Sequence, residues 1–220
     1  LRALEIAGHG MVGGREVLAA SGLGPGQNLY AIDLEQVQRN IEALPWVRSA
    51  RLRRRPPDRL VVRVTERHRV AWVEVGGLYG VDEQGVVLPG PRADVDSYAK
   101  LDLPVVSGLD CGPDSLAPGA RVPDANLVEL LGWWRCLNSV APEFSRSVSE
   151  MQPLEADAVR LRLVGDGLEV RLSRTCAAEQ IRTLEEVMRR VYREIPDPAY
   201  IDLRFAEQAI VGRQQPSEAA

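Results

Sequence analysis

The chain has 220 residues, 45% of them hydrophobic and 26% charged, and its 27 bases and 31 acids leave a net charge of -4. This is the composition of a globular protein and excludes a disordered, collagenous or coiled-coil chain. No run of about 18 apolar residues and no basic-then-apolar leader occurs, so nothing reads as a membrane span; the strand-like opening at Leu1 nevertheless leads us to expect more chain upstream, with a leader or anchor there.

Residues 1–69 read as β-α-α-β-β. Residues 2–7 alternate as a short strand, and residues 15–20 suit a short helix closed by the breaker run Ser21-Gly22-Leu23-Gly24-Pro25-Gly26. Asp33 is placed to cap a second helix, with Gln36 three residues on as a capping-box partner and Leu34, Val37, Ile41 and Leu44 on one face until Pro45 ends it. Residues 47–55 and 59–66 alternate as two strands around Pro56-Pro57-Asp58. A three-stranded sheet under two helices is expected.

From residue 70 the pattern is mostly strands and turns. Residues 70–75, 78–82 and 86–88 read as a meander, and a proline- and glycine-rich stretch over 89–123 is irregular apart from a short strand at 103–107. Asp124 can cap a helix whose Leu127, Leu130, Leu131, Trp134 and Leu137 form one stripe. A hairpin with arms 158–164 and 168–172 follows, then an amphipathic helix over 178–195 with Ile181, Leu184, Met188, Val191 and Ile195 inward. Strands at 199–205 and 208–211 close the chain before a polar tail. The fold class expected is α+β, a small β-α-α-β-β domain followed by a larger, mostly antiparallel β domain with two amphipathic helices.

Charge supports a division near Arg69. Residues 1–69 carry 12 arginines and 7 acids, for +5, while residues 70–220 carry 15 bases and 24 acids, for -9. The domains expected are therefore 1–69 and 70–212, with 213–220 a disordered tail.

Several patterns invite a chemical reading. Gly8-His9-Gly10-Met11-Val12-Gly13 has the spacing of a dinucleotide-binding loop, and Asp33 stands twenty residues beyond its last glycine. That fold needs a crossover of about ten or more residues to reach a parallel strand, and the breaker run stops this helix after barely two turns. Cys111, Cys136 and Cys176 are widely spaced, and only His9 and His68 could add imidazole, so no zinc site is expected; their odd number excludes a fully paired framework, and the thiols are read as small buried hydrophobes. Residues 48–69 hold nine arginines against Asp58 and Glu66, which nucleic acid or an anionic membrane could answer; their alternation with Leu52, Val62 and Val64 reads instead as a solvated sheet face, and no aromatics are interleaved for base stacking. No nucleophile, metal-hydrolase or triad pattern occurs, so neither catalysis nor a cofactor is expected.

With these elements in order, the chain resembles the FtsQ/DivIB family of bacterial cell-division proteins. The resemblance rests on Leu44-Pro45-Trp46-Val47, the basic strand 51–55, Pro56-Pro57, the strand 60–64, Glu66-Arg67, Val70-Ala71-Trp72, Val81-Asp82-Glu83-Gln84-Gly85 and Tyr200-Ile201-Asp202-Leu203-Arg204. Arg69 stands where the family often has proline. The resemblance implies a POTRA domain followed by a β domain, both on the extracytoplasmic face of the cytoplasmic membrane, below a transmembrane helix absent from this chain. It also implies a non-enzymatic septal scaffold that binds FtsB/DivIC-type and FtsL-type proteins, with the first domain serving upstream recruitment and no nucleic acid involved. A POTRA-bearing outer-membrane assembly or secretion factor is the alternative, although repeated copies and a barrel pattern are missing.

A terminal strand at an open sheet edge can pair with an extended partner segment. We therefore expect partner contacts at Tyr200, Ile201, Asp202, Leu203, Arg204, Phe205, Ile210 and Val211, with Tyr200 and Phe205 as apolar anchors and Arg204 as a charged contact. Trp46, Arg53 and Arg55 are the expected recruitment surface of the first domain.

Overall fold

The computed structural model describes residues 1–8, 10–90, 103–154, 157–175, 178–195, 198–205 and 208–213. His9, Cys176 and the expected tail from residue 214 onward lie outside that set.

The first 66 residues form β1 (Ala3–Ala7), α1 (Gly14–Ser21), α2 (Leu34–Glu42), β2 (Val47–Arg55) and β3 (Arg59–Glu66). The sheet order is β1-β3-β2, with β1 parallel and β2 antiparallel to β3. Apolar side chains of α1 and α2, Val17, Val37 and Ile41, pack with Ala50, Leu60, Val62 and Val64 from the inner face of the sheet. Asp33 caps α2 by accepting from the backbone N–H groups of Glu35 and Gln36 at 3.0 and 3.1 Å. The reciprocal half of the expected capping box is replaced: the Gln36 amide donates to Asn40 and accepts from Arg39.

The glycine-rich loop after β1 is filled by the protein itself. Backbone N–H groups of Gly10, Met11 and Val12 donate to the Glu66 carboxylate at 2.8, 3.0 and 2.8 Å. Gly8 has φ 81°, and a Cβ there would lie 2.3 Å from the Val64 carbonyl oxygen. The glycines thus let the loop turn close over β3, and the amides that would cradle a phosphate hold Glu66 instead.

The rest of the chain forms β4 (Ala71–Glu74), β5 (Leu78–Val81), β6 (Val105–Val106), α3 (Ala125–Val140), α4 (Pro142–Ser145), β7 (Val148–Leu154), β8 (Ala158–Leu163), β9 (Glu169–Ser173), α5 (Ala178–Glu194), β10 (Pro198–Asp202) and β11 (Ile210–Arg213). These strands make one sheet in the order β11-β10-β9-β8-β7-β6-β4-β5. The α+β class holds. Pairing is parallel for β4/β6, β6/β7 and β9/β10, and antiparallel elsewhere; α3 and α5 carry the chain back before β7 and β10 and so make the last two parallel. Inner-face residues Val73, Val106, Met151, Leu161, Val170 and Ile201 share one core cluster with the buried stripes of α3 and α5. Asp124 caps α3 as expected, accepting from the Asn126 N–H at 2.8 Å.

Three expectations need correction. The central strand β7 is absent from the sequence reading: VSEMQPL is polar, contains Pro153 and carries a register shift between Val148 and Glu150, so its alternation is broken. Residues 86–88 form isolated bridges to Val81 and Arg121 rather than a strand of the meander. Cys136 is disulfide-bonded while Cys111 is free, so the three thiols are not alike. Among the described residues, no helix is long and apolar enough to cross a membrane.

The two sheets meet through arginines. Arg67 donates to Asp82 and Gln84, and the Asp82 carboxylate also accepts the Gln84 and Val86 N–H groups, each at 2.9 Å. The Arg69 guanidinium lies 5.6 Å from the Trp46 ring centre and 4.6 Å from that of Trp72, and it donates to the Pro89 carbonyl at 3.1 Å. Leu88 packs in the core cluster of the first sheet. We predict that Asp82→Ala lowers the unfolding free energy by about 3–5 kcal/mol, since it strands the partly buried Arg67 and two backbone donors. Urea unfolding of the variant beside the parent chain measures this; a loss under about 1 kcal/mol would mean that Arg67 finds water instead.

Candidate partner interface

The ends of the eight-stranded sheet differ. Beyond β5, the Leu88 N–H donates to Gly80 O at 2.8 Å and Val87 bridges Val81, so that edge is covered by the chain itself. At the other end β11 pairs with β10 and, among the described residues, with no further strand. β10 is held between β9 and β11. Strand addition can therefore use β11, and residues 199–205, expected as an alternative edge, are not one.

The pairing fixes which way each expected contact residue faces. Ile201 lies opposite Val170 and Val211 and is fully buried, and Leu203 is 7% exposed, so both belong to the core and present no contact surface. Tyr200 is half-buried on the outer face. The Arg171 guanidinium lies 4.3 Å from its ring centre, and a Cβ on Gly212 would fall 2.1 Å from its ring. Tyr200 thus covers the bare backbone of the edge strand and cannot serve as a free anchor without uncovering it. Phe205 and Ile210 are 50% and 42% exposed, and Val211 is partly exposed. These three bring accessible apolar surface to the open edge.

Asp202 organises the charges beside them. Its buried carboxylate accepts from the Arg204 side chain at 2.8 to 3.1 Å and from the Arg204 N–H at 3.1 Å, and Arg171 stands 3.8 Å away. Burial raises its pKa, but the hydrogen bonds from Arg204 and the charges of Arg204 and Arg171 outweigh that, leaving it below the ordinary aspartate value. Arg204 also lies 5.5 Å from the Phe205 ring centre. The clamp holds Arg204 next to an exposed aromatic, the residue pair that most often carries interface energy. Arg171 and Gly212 were not among the expected residues; glycine inside an apolar strand pattern is the signal that pointed to a close approach there.

On the first sheet the expected surface separates. Trp46 is 5% exposed, enclosed by the first core and Arg69, so it supports the junction and is not a surface contact. Arg53 and Arg55 are exposed, and Arg55 pairs with Glu5 at 3.7 Å.

Comparison with known proteins adds identity to this geometry. Residues 1–67 match the family model for the POTRA domain, FtsQ-type, and residues 70–204 the model for the cell division protein FtsQ/DivIB C-terminal region. Cell division protein FtsQ of Syntrophotalea carbinolica is 29% identical over 208 residues, covering 94% of this chain and 72% of that protein. The protein of the same name in Myxococcus fulvus is 32% identical over 189 residues, with 86% of this chain and 64% of that one covered. That of Geobacter sp. strain M21 is 25% identical over 211 residues, with 96% and 75% covered.

The Asp202 clamp predicts an acid dependence. A carboxyl whose folded pKa is depressed stabilises fully above its unfolded value of about 3.9, and that stability is lost as pH falls through the lower folded value. Unfolding free energies measured from pH 7 down to about pH 3 should therefore fall more steeply for the parent chain than for Asp202→Asn. Equal slopes would mean that the clamp adds nothing to the fold.

Proposed function

The chain belongs to the FtsQ/DivIB family of cell-division proteins, and from that premise we propose that it is the extracytoplasmic part of a non-enzymatic divisome scaffold. It binds FtsB/DivIC-type and FtsL-type partners and links early to late division proteins for septal peptidoglycan synthesis, from the outer face of the cytoplasmic membrane at the septum. Residues 1–69 form the recruitment domain and residues 70–212 the partner-binding domain. The match over residues 70–204 takes the place of the outer-membrane assembly factor considered above.

One observation carries the reading: among the described residues β11 is an open edge, flanked by exposed Phe205 and Ile210 beside the Asp202–Arg204 clamp. An extended partner segment pairs its backbone with β11, which supplies affinity in any sequence, while the exposed Phe205 and Ile210 select for apolar side chains and Val211, opposite Ile201, holds the strand against the core. Arg204, already oriented, adds a charge-assisted hydrogen bond to an acceptor on the partner. The core residues Ile201 and Leu203 act only by holding β10 in place.

Titration of the chain with the extracytoplasmic segment of its FtsB-type partner tests this. Phe205→Glu is expected to weaken binding by roughly 10- to 100-fold, the span of an interface anchor, with thermal unfolding unchanged. Proline at Val211 and at Gly212 gives a second handle: successive N–H groups point to opposite sides of a strand, so one of the two variants removes a donor from the open edge. Undiminished binding by Phe205→Glu and both proline variants would overturn the assignment.

A further inference from the structure

The two sheets treat their outward arginines differently. On the larger one, Arg162 reaches Glu150 at 3.4 Å, Arg160 reaches Glu169 at 3.3 Å, and Arg171 reaches Glu169 at 2.7 Å and Asp202 at 3.8 Å. Even the directly opposed pair Arg160 and Arg171 shares Glu169 between them. On the smaller one, Arg51 stands directly opposite Arg63, Arg55 opposite Arg59, and Arg53 opposite Val61. Glu5 reaches Arg55 and Arg59, but Arg51, Arg53 and Arg63 have no acidic partner among the described residues. Like charges facing each other across strands weaken a sheet. The arrangement therefore costs stability that neighbouring acids elsewhere in the same chain avoid.

The three arginines line an open concavity of about 470 Å³ on the face of the sheet turned away from α1 and α2, shared with Arg54, Arg55, Pro56 and Val61. No aromatic ring stands among its lining residues, so it offers neither a base-stacking platform nor an aromatic interface anchor. Its chemistry is an array of guanidinium groups, each able to grip a phosphate with two parallel hydrogen bonds. Residues 1–69 carry +5 and residues 70–220 carry -9, so an extended anionic surface attracts this face and repels the remainder, which orients the molecule.

We propose that the open face of the three-stranded sheet docks on an anionic phospholipid surface through Arg51, Arg53 and Arg63. The inference is independent of the partner reading for β11. A membrane fits better than an acidic protein because the array has charge and breadth without an aromatic anchor, which suits a planar field of headgroups.

Sedimentation of the chain with vesicles of about one third phosphatidylglycerol in phosphatidylcholine tests it, with pure phosphatidylcholine vesicles alongside. The chain is expected to bind the anionic vesicles only, and the variant Arg51→Gln, Arg53→Gln, Arg63→Gln to partition roughly 100-fold less, at about fivefold per arginine. A charge-matched variant at the exposed Arg182, Arg189 and Arg193 of α5, each to glutamine, should keep most of the binding. All six side chains are exposed, and thermal unfolding of both variants confirms that the fold is intact. Absence of binding to anionic vesicles, equal binding to neutral ones, or an equal loss in the two variants would overturn the proposal. Capture of a polyglutamate peptide through Arg51, Arg53 and Arg63 with no vesicle binding would overturn it in favour of an acidic protein partner.

Discussion

A strand at the edge of a sheet carries a row of unpaired N–H and C=O groups, and the eight-stranded sheet deals with its two edges in opposite ways. At β5 the chain folds back so that Val87 and Leu88 satisfy the edge and Leu88 continues into the core of the first sheet. At β11 the edge has no further strand among the described residues, and the approach to it is protected: Tyr200 covers Gly212, Arg171 stacks on Tyr200, and Asp202 holds Arg171 and Arg204. The closed edge joins the two sheets, and the other is the edge to which the proposed partner strand would add. The arrangement at β11 rests on β10, which is held by parallel pairing to β9 and by Ile201 in the core.

The junction shows how far arginine is used for packing here. The Arg69 guanidinium lies against the rings of both Trp46 and Trp72. Arg54 donates to the carbonyls of Leu29 and Ile32 and so ties the connection before α2 to β2. Planar, delocalised and weakly hydrated, the guanidinium tolerates such partly buried sites better than an ammonium does. Most described arginines are thus accounted for by a carbonyl, a ring or a carboxylate, whereas Arg51, Arg53 and Arg63 stand together on one sheet face with no acidic partner among the described residues.

Local patterns made much of this legible. The strands expected at residues 47–55 and 59–66 coincide with β2 and β3, where alternation is unbroken, and Asp33 and Asp124 cap the helices that they were expected to cap. What escaped depends on contacts distant in sequence. β7 hides behind a bulge and polar residues, and the parallel pairings follow from crossovers that no local period encodes. For the candidate interface, alternation required that Tyr200 and Ile201 face opposite ways, but which faced the core was set by the register to β9. Trp46 reads as surface in sequence because it lies outside the alternating strands, and its burial comes from the first core together with Arg69 at the junction.

Backbone hydrogen exchange of the chain, alone and with the extracytoplasmic segment of an FtsB-type partner, tests the central claim most directly. The open edge should exchange freely in the chain alone, and binding should slow exchange at Ile210–Arg213 while leaving β5 and the three-stranded sheet unchanged. Protection that appears at β2 or β5 with β11 unaltered would contradict the account, because the partner would then be held by a part of the fold other than the edge left open for it.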